Sequence, residues 1–314
     1  MLTITECIER LLANQSYYII THVRPDGDTL CSAAALCSAL RRKGKKATML
    51  RNPGTTETYA PWVEPYTGEA PEGARIIAVD VADVTMFPYG WEGSVDLAID
   101  HHPKNPGYAG ETLLDGTKAS CGEIVMSVIL GMCGTLTREE ANLLYIAVST
   151  DSGCFCYGNT TAETLRAAAR LIDCGAENAP INKEFFRSYS FARLRLEGMI
   201  YATLRSVRDH KINIATVTLD MMEASGATED DCDDLASLPG KVRGNIVGIM
   251  IRELREGVCK VSLRTTEEVD SAAVCGRFGG GGHKMAAGCT LETDPETAAA
   301  LMLAAVNIEW PEEK

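Results

Sequence analysis

The 314-residue chain lacks the features that mark several common protein classes. No apolar stretch reaches the ~18 residues that a membrane-spanning helix requires, so we expect no membrane span. The first fifteen residues mix apolar positions with two Glu and one Arg, a pattern unlike that of a secretory signal. Internal repeats and long low-complexity segments are also missing. With 46% hydrophobic and 23% charged residues, the composition excludes a disordered or fibrous chain and is typical of a globular protein.

Positive charge is scarce as well. Lys and Arg number 30 against 43 Asp and Glu, which gives a formal net charge of −13. Surfaces that bind long nucleic acid are normally basic, so this balance argues against long duplex nucleic acid as a partner. A small phosphorylated substrate stays open, because bound metal ions can reverse the sign of the charge at a site.

The 12 cysteines include no CxxC pair. A chain of this length does not need disulfides for stability, so reduced thiols and a cytoplasmic location fit the pattern best. Cys154 and Cys156 form the one close pair and suggest a thiol-based redox role as an alternative, but a CxC pair with no flanking redox signature supports it weakly.

The first half of the chain alternates apolar runs with helical patterns. Strands are predicted over 16–21, 46–50, 75–79 and 95–99, and helices over 30–44, 119–132, 137–150 and 161–175. Strands that alternate with helices predict an α/β fold, with a mostly parallel sheet and helices on both faces. The length of the chain favours two domains over one.

The pattern changes near residue 185. A charged helical stretch over 186–210 is predicted to connect the first domain, 1–185, to a smaller α/β domain over 211–314. In the second domain, strands are expected over 211–219, 244–254 and 258–265, with a hairpin turn at 255–257 and a final helix over 295–308.

Acidic residues and histidines follow four apolar elements of the first domain. These residues are His22, Asp26, Asp28, Asp80, Asp100, His101, His102 and Asp151. Ligands bind an open parallel sheet at the carboxyl ends of its strands, so we predict that these side chains gather in one cleft. Five clustered carboxylates repel one another strongly, and two divalent cations would supply roughly four compensating charges. Carboxylate and imidazole ligands without thiolate suit manganese, with iron, cobalt or magnesium as alternatives, rather than structural zinc.

A purely structural interpretation takes each element separately. His22 would then be a core histidine, Asp28 the N-cap of the following helix, and residues 25–27 a turn. This interpretation explains one element more easily than four, and we therefore favour the metal site.

Four segments resemble, in order, the motifs of the DHH phosphoesterase superfamily. They are HVRPDGD at 22–28, the lone Asp80 after a strand, DHH at 100–102 and TDSGCF at 150–155. The segments VSLRT at 261–265 and FGGGGHKMAAG at 278–288 resemble the associated C-terminal domain. Within the superfamily the chain is most similar to the nanoRNase and pAp phosphatase group. That group degrades very short RNA and removes the 3′-phosphate from adenosine 3′,5′-bisphosphate (pAp).

The resemblance implies manganese-dependent hydrolysis of phosphate esters in short oligoribonucleotides and pAp, by a water that two divalent metal ions activate. One ion would be held by His22 and Asp26, and the second by Asp28, His101 and Asp151, with Asp80 bridging both. His102 would lie beside the scissile phosphate as a hydrogen-bond donor or acid. Asp100 would orient the histidines from behind. Asp80, Asp100 and His102 are thus the expected catalytic residues.

The resemblance also implies a substrate-binding site in the second domain. It would consist of Arg264, His283 and the backbone of Gly279, Gly280, Gly281 and Gly282. Glycine N–H groups can approach a phosphate closely because no Cβ obstructs them. The structural alternative for the glycine run is a flexible loop. A cleft between two domains would limit the length of the substrate.

Two residues depart from the usual first motif. Arg24 replaces a small or amide residue and either contacts phosphate or points to solvent, whereas Cys31 replaces Gly and is expected to pack at the start of a helix. Two other functions stay open, namely a phosphodiesterase for cyclic dinucleotides or their linear product pApA, and a metal-dependent nucleotide sensor without turnover. A pyrophosphatase is disfavoured by the GGGGH element. The sequence leaves the oligomeric state open, a homodimer included.

Overall fold

The chain folds into two units, Met1–Ser188 and Tyr189–Lys314. Their coordinates come from a computed structural model that describes residues 1–232 and 234–311. Residues 312–314, at the end of the predicted second domain, lie outside this described part. Among the described residues, no helix is both long enough and apolar enough to cross a membrane.

The first unit contains five strands and seven α-helices. The strands are β1 Ser16–Ile20, β2 Lys46–Met49, β3 Arg75–Val79, β4 Leu97–Asp100 and β5 Glu111–Leu114. The helices are α1 Ile4–Ala13, α2 Gly27–Arg42, α3 Ala60–Val63, α4 Cys121–Cys133, α5 Arg138–Asp151, α6 Ala162–Asp173 and α7 Asn178–Arg187. Short 3-10 turns occupy Glu64–Tyr66 and Val84–Met86.

All five strands form one parallel sheet in the order β2-β1-β3-β4-β5. This arrangement confirms the α/β prediction. Strands β1, β3 and β4 are neighbours in the middle of the sheet, so their carboxyl ends lie side by side at one edge. The sheet thus brings together the polar residues that follow these three strands.

The two faces of this sheet are covered differently. On one face, β1 packs Tyr17 and Ile19 into the core of the unit, together with buried residues of α2, α4 and α5. On the other face, Ile20 and Ala78 pack against residues of the loops that follow β3 and β4, including Met86, Phe87, Trp91 and Tyr108. Pro88, Gly90 and Gly93 interrupt this stretch, which explains why a 3-10 turn and loop cover the second face instead of a long helix.

Helix α2 starts at the edge where the polar residues gather. Asp26 is its N-cap, and the carboxylate accepts hydrogen bonds from the backbone N–H groups of Asp28 and Thr29 at 3.0 and 3.1 Å. The Thr29 hydroxyl donates to the Val79 carbonyl at 2.7 Å, which ties the start of α2 to the end of β3. A Cβ on Gly27 would stand 2.4 Å from the Thr150 hydroxyl oxygen. Glycine therefore lets the start of α2 approach the end of α5.

The second unit is built on a mixed six-stranded sheet in the order β10-β11-β9-β8-β7-β6. Its strands are β6 Arg205–Val207, β7 Ile212–Val217, β8 Val247–Arg255, β9 Val258–Thr265, β10 Gly281–His283 and β11 Ala286–Leu291. Its α-helices are α8 Phe191–Ala202, α9 Leu219–Ser225, α10 Ser271–Gly276 and α11 Pro295–Glu309, with 3-10 turns at Asp230–Cys232 and Leu235–Lys241.

The region predicted as one connecting helix, 186–210, is not continuous. Helix α7 ends at Arg187, Ser188 is extended, and Ser190 begins α8 as its N-cap by accepting a hydrogen bond from the N–H of Arg193. After α8 the chain forms β6, which pairs antiparallel with β7. The charge pattern of this stretch predicts a single helix. The N-cap at Ser190 and the pairing of β6 with β7 divide it instead.

Candidate metal centre and active site

Eight polar side chains converge at the carboxyl edge of the parallel sheet. His22 follows β1, Asp80 follows β3, and β4 ends in Asp100 with His101 and His102 behind it. The start of α2 adds Asp26 and Asp28, and the end of α5 adds Asp151. The Asp80 cluster is defined here as the six residues His22, Asp26, Asp28, Asp80, His101 and Asp151.

Asp80 occupies the centre of the cluster. Its side chain is 4% exposed, and its two carboxylate oxygens face different histidines. The distance from Oδ2 to His22 Nε2 is 3.7 Å, and the distance from Oδ1 to His101 Nε2 is 3.3 Å. The residue has a φ of 59°, in the left-handed region that non-glycine residues seldom adopt. Such strain is characteristic of functional sites, where the surrounding structure maintains it.

The remaining distances divide the cluster into two groups that share Asp80. In the first, His22 Nε2 lies 3.6 Å from Asp26 Oδ1. In the second, His101 Nε2 lies 3.8 Å from Asp28 Oδ2 and 3.5 Å from Asp151 Oδ2. Ligand atoms of His22, Asp26 and Asp80 lie within 4.8 Å of one another, as do those of Asp28, His101 and Asp151, and also those of Asp80, His101 and His102. Asp80 therefore contacts the second group through His101.

The donor set fits divalent metal ions. Separations of 3.3–3.8 Å are longer than good hydrogen bonds, but two ligands about 2.1 Å from one ion would lie about 3 Å or slightly more apart. Asp80 Oδ1 is buried without a hydrogen-bond partner, as is His22 Nδ1. His101 Nδ1 lies 3.1 Å from the Lys118 carbonyl and donates to it, so Nε2 is the ring nitrogen that faces the carboxylates. Oxygen and imidazole donors so placed suit manganese, iron or magnesium.

Burial and mutual repulsion shift the pKa values of several groups in the cluster. Burial, followed by the charges of Asp80 and Asp151, raises the pKa of Asp28 well above its usual value. Burial and the neighbouring carboxylates also raise the pKa of Asp151 to about 6. Burial opposes the charged form of His101, but the surrounding carboxylates outweigh it and raise its pKa to about 10. Carboxylates this close together repel one another when all of them are ionised. The cluster therefore favours the binding of protons or of cations.

Asp28 has a structural task besides its place in the cluster. Its carboxylate accepts hydrogen bonds from the N–H groups of Cys121 and Gly122 at 2.6 and 2.9 Å, and from the Ser32 hydroxyl at 3.0 Å. The Ser120 side chain does not cap α4, and Asp28 does so from another helix. The structural alternative that placed Asp28 as the N-cap of its own helix was wrong, because Asp26 takes that position.

Asp100 lies behind the histidines and orients His102. Its Oδ1 accepts hydrogen bonds from His102 Nδ1 at 2.8 Å and from the N–H of His101 at 2.8 Å, while Oδ2 accepts from Asn105 at 2.6 Å. Burial alone would raise the pKa of Asp100, but the hydrogen bonds from His102 and Asn105 lower it, so the carboxylate stays ionised. The bond to Nδ1 leaves Nε2 of the partly exposed His102 ring available to a ligand.

A cavity of about 660 Å³ lies over the cluster. It is lined by His22, Asp26, Asp80, His101, His102 and Asp151, by Val23 and Arg24, and by the continuous segment 84–91. Sequence reasoning missed this segment, and also missed Asn105 and the Lys118 carbonyl. A loop without secondary-structure periodicity gives no signal of which pocket it will line. Arg24 is exposed at this cavity, whereas Cys31 is fully buried in the core, as expected.

In the second unit, Arg264 and His283 share one face of the mixed sheet. Arg264 on β9 pairs with Ala286 on β11, which pairs in turn with His283 on β10. Residues directly opposite in antiparallel strands point to the same face, so this row places both exposed side chains on one side. The structure thus brings together the two side chains predicted to bind the substrate.

The glycines at 279–282 were predicted to bind phosphate through their backbone N–H groups. In the structure, several of them instead allow close packing of the backbone. The N–H groups of Gly279 and Gly280 donate to the carbonyls of Gly276 and Cys275 at 3.1 and 3.0 Å, which removes them from the predicted phosphate contact. A Cβ on Gly280 would meet the Gly288 carbonyl oxygen at 2.3 Å. Gly281 and Gly282 belong to β10, so the alternative of a flexible loop does not hold for them, and their contact with phosphate stays a prediction.

All 12 cysteines are free thiols. Cys154 and Cys156 lie in the turn that follows Asp151, where Cys154 and Phe155 have φ values of 54° and 65°. Desolvation raises the pKa of Cys154, which disfavours the reactive thiolate and weakens the redox alternative.

Comparison with known proteins gives consistent matches over both units. The "DHH family, N-terminal domain" matches residues 16–148, and the "DHHA1 domain" matches residues 211–308. A Thermus thermophilus protein named bifunctional oligoribonuclease and PAP phosphatase NrnA is 35% identical over 300 residues, which cover 93% of this chain and 89% of that protein. The Bacillus subtilis protein of the same name is 24% identical over 297 residues, covering 91% and 93%.

Among solved structures, an exopolyphosphatase-related protein from Bacteroides fragilis matches with a TM-score of 0.81. It is 21% identical to this chain, and the match covers 97% of this chain and 96% of that one. At this level of identity, the likeness concerns the fold.

Proposed function

The chain belongs to the DHH family of phosphoesterases, and on that premise we propose that it hydrolyses phosphate esters in short oligoribonucleotides and in pAp, using two divalent metal ions. The observation that carries this proposal is the convergence of the Asp80 cluster, in which the buried Asp80 carboxylate lies between His22 of one ligand group and His101 of the other. The names of the T. thermophilus and B. subtilis relatives support the choice of substrates.

We propose that His22 and Asp26 hold one ion, that Asp28, His101 and Asp151 hold the other, and that Asp80 is shared. When bound, such a pair of ions supplies Lewis acidity, which acidifies water and neutralises charge on phosphoryl oxygens. Manganese is the expected ion because the donors combine imidazole with carboxylate and include no thiolate. Asp28 keeps its helix-capping hydrogen bonds in this role, since each carboxylate oxygen can accept more than one contact.

The side chains of the protein itself have two further tasks in this mechanism. His102 presents Nε2 to the cavity and donates a hydrogen bond, or a proton, to the phosphate group that is attacked. Asp100 holds Nδ1 at 2.8 Å, which fixes the orientation of the ring and favours the protonated imidazole. Consistent with this pairing, the hydrogen bond to Asp100 raises the pKa of His102.

We further propose that Arg264 and His283 of the second unit bind the phosphate of the substrate. Removing either side chain by Arg264→Ala or His283→Ala should raise KM for pAp about tenfold or more, because a hydrogen bond to a charged group is lost. A fall in kcat as well would place the contact in the transition state. Steady-state kinetics in manganese would measure both constants.

Lys260 provides the matched control for these two variants. It is exposed on the same strand as Arg264, four residues away and therefore on the same face. Lys260→Ala should leave KM unchanged. An unaltered KM in both the Arg264 and the His283 variants would contradict the proposal that these side chains of the second unit bind the phosphate.

The function itself is tested by a substrate panel. The purified protein is incubated with manganese and, separately, with pAp, a ribonucleotide trimer, pApA and a cyclic dinucleotide. We expect release of AMP or mononucleotides from pAp and the trimer. Turnover of pApA or the cyclic dinucleotide alone would favour the phosphodiesterase alternative. Tight nucleotide binding with no turnover of any substrate would support the sensor and contradict the proposal.

A further inference from the structure

The cavity over the Asp80 cluster has a second wall to which the proposed hydrolysis assigns no role. This wall is the segment 84–91, with the sequence VTMFPYGW, which connects β3 to β4. It contains three aromatic side chains and one methionine but no charged side chain. Apolar side chains offer a phosphate neither hydrogen-bond donors nor positive charge, so the wall suits the part of the substrate that is not phosphate.

The segment is held in place by contacts on both sides. The N–H of Val23, next to His22, donates to the Met86 carbonyl at 2.8 Å. The Phe87 ring packs edge-on against Tyr108, with ring centroids 5.2 Å apart, and Trp91 Nε1 donates to the Gly93 carbonyl at 2.8 Å. The first two contacts tie the wall to the loop that holds His22 and to the loop that follows β4, and the segment also packs with Ile20 and Ala78 on the sheet face. The surface is therefore built before a ligand arrives.

Among the three aromatic residues of this segment, Tyr89 is the one whose side chain is exposed. The residue is 79% exposed although it lines the cavity, whereas Phe87 and Trp91 are half-buried. An exposed aromatic face on a fixed loop, beside a phosphate site, is the arrangement that unpaired nucleobases use for stacking.

We propose that the segment 84–91 is a base-binding subsite, in which the base of the nucleotide whose phosphate lies at the Asp80 cluster stacks on Tyr89. Met86 and Trp91 complete the apolar surface. This subsite rests on the proposed function and deepens it by assigning recognition of the base to the first unit. Stacking accepts any base, so the subsite selects nucleotides over phosphate esters that have no base, without selecting among sequences.

The test compares Tyr89→Ala with Tyr89→Phe on two substrates, pAp and its abasic analogue, in which hydrogen replaces the adenine. Tyr89→Ala should raise KM for pAp about tenfold, the loss expected for one stacked base, with little change in kcat. Tyr89→Phe keeps the ring and should behave like the natural protein. On the abasic analogue, both variants and the natural protein should have the same KM. Leu165→Ala, at another exposed apolar residue, controls for surface changes.

A binding measurement separates this proposal from the proposed function. AMP added in the presence of manganese should quench the fluorescence of Trp91, and the quenching should be lost in Trp91→Phe and weakened in Tyr89→Ala. An unchanged KM for pAp in Tyr89→Ala, or an equal rise for the abasic analogue, overturns the subsite. If the natural protein hydrolyses neither substrate while AMP still quenches Trp91, the proposed function fails and the subsite stands.

Discussion

Asp80→Asn is expected to lower kcat for pAp by about 10³-fold or more, because the contribution of metal ions to phosphoryl transfer amounts to several kcal/mol. The substitution keeps the size of the side chain but removes the charge of the one carboxylate whose two oxygens face both ligand groups. Each of the other predicted ligands is proposed to hold a single ion, so its loss should cost less. Initial rates measured across a manganese titration would test the expectation.

A control carboxylate is available on the same sheet edge. Asp115 follows β5, outside the cluster, and accepts hydrogen bonds from the backbone and hydroxyl of Thr117. Asp115→Asn should retain activity. The metal-free Asp80→Asn protein should also unfold at a temperature no lower than the natural protein, because a buried carboxylate has been removed from among its like charges. Substantial turnover in Asp80→Asn at saturating manganese would contradict the mechanism.

His102→Ala is expected to lower kcat for pAp by about 10²–10³-fold, the range for a side chain that donates or accepts a proton in the transition state. Asp100→Asn should cost about 10–100-fold, since it weakens the group that orients the ring. KM should change less than kcat in both variants if the contact of His102 strengthens in the transition state. Steady-state kinetics would separate the two constants.

The metal content of the His102 variant decides its role. His102 Nδ1 lies 3.6 Å from Asp80 Oδ1, but that nitrogen already donates to Asp100, so we expect His102→Ala to bind the same number of manganese ions as the natural protein. A lost ion would identify His102 as a ligand instead. His210→Ala, at an exposed histidine that contacts Ser206, should leave both activity and metal content unchanged.

Four of the five strands and four of the seven helices of the first unit follow closely from the sequence, whereas β5, α1, α3 and α7 were not predicted. The run 75–79 was predicted as a strand and is β3, and the predicted helix over 137–150 is α5 at Arg138–Asp151. Strands that are buried on both faces are continuous apolar runs, as in β3, whereas α5 is recognised by the helical spacing of its apolar residues. The meeting of the polar residues was also predictable, since parallel strands place their carboxyl ends at one edge.

Other features depend on contacts between distant residues and had no local signal. Asp26 and Asp28 are both plausible caps, and only the position of α4 shows that Asp28 caps a helix 93 residues later in the chain. The glycine run suggested an anion site, but Gly280 is required by the close approach of β11. The role of the segment 84–91 depends on which sheet face it covers, and its sequence has neither helical nor strand periodicity.

The number of metal ions bound by the chain tests the central claim most directly. The metal-free protein would be dialysed against manganese, and the bound ions would be counted by mass spectrometry beside Asp80→Asn and Asp115→Asn. Shared ligation by Asp80 predicts about two ions per chain for the natural protein and the Asp115 variant, and fewer for the Asp80 variant. No bound manganese in the natural protein, or an equal count in all three proteins, would contradict the account.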